Sequence, residues 1–74
     1  MERQLADKFI QFGVRTAKDL DELLAEAKTL CSAKEFLEIR GGAGKVLGYL
    51  LTDIMNPILS EHKDLTPPQL TELP

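Results

Sequence analysis

Apolar residues recur at three- and four-residue steps over most of this chain, with polar residues between them. Leu5, Ala6, Phe9, Ile10 and Gly13 form the first such set, backed by Arg3, Gln4, Asp7, Lys8 and Gln11, and this predicts an amphipathic helix over residues 2–12. Gly13 stands where a left-handed residue ends a helix, with Val14 behind it to fold back on Phe9. Thr16 restarts the chain as a helix cap, with Asp19 three residues on, and Lys18, Asp21 and Glu22 complete a charged first turn or two. Leu20, Leu23, Leu24, Ala27, Leu30 and Cys31 then give one clean face, so a second helix is expected over 16–31.

Ser32 and Glu35 repeat the Ser-x-x-Glu capping signature and open a third helix at 33–40. Arg40 before Gly41 and Gly42 reads as its stop, and a fourth helix follows at 44–59. Two apolar rows nevertheless keep helical phase across the glycines. One is Phe36, Ala43, Leu47, Leu50, Ile54 and Ile58; the other is Leu37, Gly41, Gly44, Gly48, Leu51 and Met55. A single glycine-seamed helix over this stretch is the alternative, at a propensity cost of about 0.8–1 kcal/mol for each interior glycine. Pro57 should end or kink the helix. From Ser60 the period is lost and three prolines follow, which reads as an extended tail that Leu65, Leu70 and Leu73 clip onto the body or a partner.

The expected fold is therefore all-α: a small bundle of three to four short helices, with a helical domain at 1–60 and an extended, proline-containing tail at 61–74. Its expected core is Leu5, Phe9, Ile10, Leu20, Leu23, Leu24, Ala27 and Leu30 from the first half. Phe36, Leu37, Leu47, Leu50, Leu51 and Ile54 complete it from the second.

With 74 residues the chain builds one modest core. Domains this small usually add disulfides, a metal or a second subunit. One cysteine excludes an internal disulfide, and one cysteine with one histidine falls short of the four ligands of a structural zinc site. Elimination leaves helix packing or a homodimer. The net charge of -3 argues against a general binder of nucleic acid or anionic membrane. Charges scattered through the first residues read as no secretory leader. Thr52, Asp53, Asn56 and Pro57 interrupt the longest apolar run, so no membrane span is expected, and a lone thiol fits a cytoplasmic setting.

Candidate chemistry is sparse. Gly41-Gly42-Ala43-Gly44-Lys45 invites a phosphate loop, but Ile39 stands where the Walker pattern begins with glycine, and Val46 stands at the magnesium-ligating Ser/Thr position. A hinge or close-packing seam fits better. Gly44-x-x-x-Gly48 has the small-xxx-small spacing of a close helix contact. Cys31, closing the leucine face, reads as a small buried hydrophobe, and His62 as a solvent-exposed tail residue. Asp19, Glu22 and Glu26 make a solvated acidic face or a docking patch.

Gly13 to Leu20, Gly-Val-Arg-Thr-Ala-Lys-Asp-Leu, resembles the turn of helix-hairpin-helix modules, over eight residues only, and identifies no family. A helix-turn-helix DNA reader would place the net-negative helix from Thr16 against phosphates, at an electrostatic cost.

No catalytic, cofactor-binding or metal-ligating set is read. The expectation is a non-enzymatic protein–protein interaction module, a homodimeric adaptor or regulator of a larger protein, with no cofactor, metal or membrane. Its interface candidates are Gly44, Gly48, Tyr49, Leu51, Met55, Leu59, Leu65 and Leu70, with the acidic face at Asp19, Glu22 and Glu26. The alternative is a nucleic-acid-binding transcription regulator with an oligomeric helical body, which needs Arg3, Lys8, Arg15, Lys34, Arg40 and Lys45 on one side.

Overall fold

The computed structural model of the chain describes residues 1–68. Glu2 opens its first helix, α1 (Arg3–Leu30), by accepting hydrogen bonds from the backbone N–H groups of Gln4 and Leu5 at 2.8 and 3.0 Å. That satisfies two of the donors a helix start leaves without partners.

α1 runs unbroken through Gly13 and Thr16, so the two helices expected at 2–12 and 16–31 are one. No glycine among the described residues has positive φ, and Gly13 therefore does not stop the helix. It is there for closeness. Gly13 is buried, and a Cβ built on it would lie 2.5 Å from Met55 Sδ. The sequence cue for a stop and the cue for a close helix contact are the same residue, and packing decides between them.

The chain reverses at Cys31 and Ser32. There the reciprocal capping box forms as expected: Glu35 N–H donates to Ser32 Oγ at 3.2 Å, and Ser32 N–H donates to Glu35 Oε1 at 3.0 Å. It opens α2 (Ala33–Tyr49), which passes straight through Gly41, Gly42 and Gly44. The expected break after residue 40 is absent: the backbone bonds propagate through the segment, and Ala43 among the glycines is buried.

Beyond Tyr49 the helix widens into a π-helical segment (Leu50–Met55) and continues as α3 (Asn56–Glu61). Helical dihedrals hold at both junctions, so residues 33–61 form one arm antiparallel to α1. The architecture is a two-armed helical hairpin rather than three or four short helices.

Pro57 accounts for the widening. It has no N–H, and its ring would press on the carbonyl four residues back in a regular helix. The π segment absorbs this instead of a kink or a stop: Asn56 N–H reaches the carbonyl of Leu51, five residues back. Thr52 Oγ1 also donates to the Gly48 carbonyl at 2.9 Å.

The extra residue in that turn shifts the buried face. Leu50 is followed inward by Met55 and Ile58, a five-residue step and then a three, and Ile54, expected in the core, is exposed. The core consists of Ala6, Ile10, Leu50, Met55 and Ile58, with Val14, Leu47, Leu51, Leu59 and Leu65 packed against it. Leu5, Phe9, Leu23, Leu30 and Leu37 of the expected core are exposed, because a hairpin offers each helix one neighbour where a bundle offers two.

The last described stretch turns back on the hairpin's open end. Lys63–Leu65 form a 3₁₀ turn, and Pro67 is buried. Arg3 pairs with Asp64, and the Met1 ammonium pairs with Glu61 at 2.9 Å. His62, expected in solvent, has a side chain only 19% exposed and donates from Nε2 to the Met1 carbonyl at 3.0 Å. Leu70 and Leu73 lie outside the described residues.

Candidate functional site

The two long sides of the hairpin differ. On one, the arms part over an open groove of about 700 Å³. Val14, Ala17 and Ala25 of α1 and Leu47, Leu50 and Leu51 of the second arm supply its apolar wall. Lys18, Asp21 and Glu22 form its charged rim, and Pro67 closes one end.

The other side carries the larger apolar surface. At about 100° per residue, the apolar residues of α1 other than Val14 and Ala25 fill an arc of about 160°, whereas one neighbour needs only about 100°. Lys28 sits at one edge of the arc, and no other charged or amide side chain falls inside it. Ala6, Ile10 and Gly13, at the inner end, are buried; Leu20, Leu24 and Ala27 are half-buried. Toward the outer end exposure climbs, through Phe9 and Leu5, to 55% at Phe12, 59% at Leu23 and 82% at Leu30. The second arm covers the inner part of the arc and leaves the rest to solvent.

Ile39, Val46 and Tyr49 of α2 flank the same side. They lie across the helix from Leu51, which marks the groove, and all three are exposed.

The interface residues expected from the sequence scatter over this geometry. Met55 is spent on the chain's own core against Gly13, while Leu59 and Leu65 pack on that core and Leu51 lines the groove. Gly44, Gly48 and Tyr49 are exposed, and a Cβ on either glycine would meet nothing within 4 Å, so the small-xxx-small contact is not made within the chain. Leu70 lies outside the described residues. Gly41 to Lys45 is mid-helix and forms no anion-cradling turn. Asp19, Glu22 and Glu26 are exposed on α1, and Glu22 belongs to the groove rim. The residues from Gly13 to Leu20 form no turn, so their likeness to a helix-hairpin-helix turn has no counterpart in the backbone.

Cys31, expected to be buried, is exposed where the arms reverse. His62 contacts Met1 at the other end of α1, so about 40 Å of helix separates the thiol from the imidazole.

Four carboxyls are held below the usual carboxylate range by hydrogen bonds to their charged form: Glu2 by the Gln4 and Leu5 N–H groups, Glu35 by Ser32, Glu61 by the Met1 ammonium and Asp64 by Arg3. Glu2 and Glu35 cap helix starts, and Glu61 and Asp64 tie the N-terminus to the end of the second arm.

The signal that finds the uncovered face is the width of α1's apolar arc. It is fully legible in the sequence once α1 is known to be one helix. Among the described residues no helix is long and apolar enough to cross a membrane. Comparison with family models, with curated proteins and with solved structures gave no match.

Proposed function

We propose that this chain is a non-enzymatic protein–protein interaction module that works as a homodimer, an adaptor or regulator of a larger protein. The observation behind this reading is the uncovered outer half of the α1 arc, flanked by Ile39, Val46 and Tyr49. Contiguous apolar area of this kind on a soluble helix pair is costly to leave in water and typically marks a contact surface. The groove, on the other side, would stay open in such a dimer and is apolar enough to receive side chains of a further protein.

Sedimentation equilibrium over a range of micromolar concentrations tests the self-association. The expected result is a mass twice the 8.2 kDa of the chain. A well-folded monomer at every concentration would overturn it.

A further inference from the structure

The outer face of α1 has an order that self-association alone does not require. Its apolar stripe runs Leu5, Phe9, Phe12 and Thr16 in the N-terminal half, then Leu20, Leu23, Ala27 and Leu30 in the C-terminal half. Each member is three or four residues from the next, so the eight share one side of the helix. One position before these residues runs a parallel row, Gln4, Lys8, Gln11, Arg15, Asp19, Glu22 and Glu26. This row is basic in its first half and acidic in its second, and changes sign between Arg15 and Asp19. All four of Lys8, Arg15, Asp19 and Glu26 are exposed, and none takes part in the three ion pairs found among the described residues.

A second copy of the same helix fits this pattern in one orientation. Turned end for end about a point near Ala17 and Lys18, the row meets itself with signs opposed, Lys8 beside Glu26 and Arg15 beside Asp19. Parallel two-fold docking would carry the two rows to opposite sides of the contact, where their charges could not pair. The same turn places Phe9 over Ala27 and Leu20 over Thr16, large on small, while Phe12 meets Leu23 and Leu5 meets Leu30. Such alternation is what close helix packing needs.

We propose that α1 docks antiparallel on α1 of a second copy, about a two-fold axis near Ala17 and Lys18, joining two hairpins into a four-helix bundle. The proposal rests on the self-association reading and adds its register and polarity. A two-fold arrangement uses one patch on both copies and closes on itself, so assembly stops at the dimer.

The single exposed thiol allows a test on the unaltered chain. A nitroxide on Cys31 should show an inter-label distance of about 40 Å in the dimer, since each Cys31 lies about 13 residues from the axis at 1.5 Å per residue.

Reversing the basic half alone, Lys8→Glu with Arg15→Glu, should weaken dimerisation about tenfold or more, because four attractive contacts per dimer become repulsive. Adding Asp19→Lys and Glu26→Lys should restore it. Labels on Cys31 closer than about 20 Å in a dimer would overturn the antiparallel register and leave self-association intact. An unchanged dissociation constant after the basic-half reversal would do the same. A monomer by sedimentation would remove both readings together.

Discussion

Gly13 offers the sharpest test of the packing, because chain stiffness and space push in opposite directions there. Replacing it with alanine favours the helix by about 0.8–1 kcal/mol. The new Cβ would stand 2.5 Å from Met55 Sδ, 3.0 Å from its Cγ and 3.1 Å from its Cε. Methionine adapts readily, but this one is only 5% exposed and sits among Ile10, Leu50 and Ile58, so it has little room to retreat. Overpacking of this kind costs about 1–3 kcal/mol. The expected net effect of Gly13→Ala is a loss of about 1 kcal/mol. Gly48→Ala is the control, because its Cβ would meet nothing within 4 Å and the propensity gain should appear whole. Urea unfolding followed by helix ellipticity, at one fixed protein concentration, separates the two. With a slope of about 1 kcal/mol per molar urea for a chain this small, Gly13→Ala should lower the midpoint by about 1 M and Gly48→Ala raise it by nearly as much. If Gly13→Ala raised the midpoint as far as Gly48→Ala does, the close approach of α1 to Met55 would be wrong.

Two further outcomes follow from the same structure. Ile10 is fully buried, and Ile10→Ala should cost about 2–5 kcal/mol, enough in so small a core to leave much of the population unfolded by thermal melt at room temperature. The carboxyls of Glu2, Glu35, Glu61 and Asp64 are depressed in the folded chain, so the stability they contribute is fully present above the ordinary carboxylate range of about 4 and is lost as pH falls through their folded values. Melting temperatures measured from pH 7 down to pH 2 should fall most steeply below pH 4, and a melting temperature that held constant there would contradict the cap contacts and the pairing of the N-terminus with Glu61 and Asp64.

Local chemistry was the legible part of this sequence. Ser32 and Glu35 announce the reversal between the arms, and the two form the box that their spacing requires. The amphipathic faces are equally plain, since apolar spacing fixes which side of a helix can be buried. Glycine was the ambiguous letter. At Gly13 the residue that reads as a stop serves an approach between helices, which depends on Met55, more than forty residues away. At Gly41, Gly42 and Gly44 the helix simply continues, so a stop inferred from composition had no partner contact to enforce it. The observed core departs from the expected one for a related reason. Leu23 and Leu30 find no neighbour within the hairpin and stay exposed, and the wide turn after Leu50 breaks the 3.6-residue period, so that Met55 is buried where regular spacing would place Ile54. The candidate surface was therefore present in the sequence as the width of one stripe, but invisible while that stripe was cut in two at Gly13.

The wide turn ahead of Pro57 also bears on how this chain can change in length. The π segment amounts to one residue more than regular spacing between Leu50 and Met55 would hold. Removing one residue from Leu51 to Ile54 would leave those two side chains four apart and still facing α1, and Ile58 and Glu61 would keep their places beyond them. A deletion in α1 would instead rotate everything after it by about 100° and scatter the stripe. But a regular helix through that point meets the ring of Pro57, at a cost of about 3 kcal/mol. The extra residue and the proline are thus a matched pair, and the arm can shed the one only together with the other.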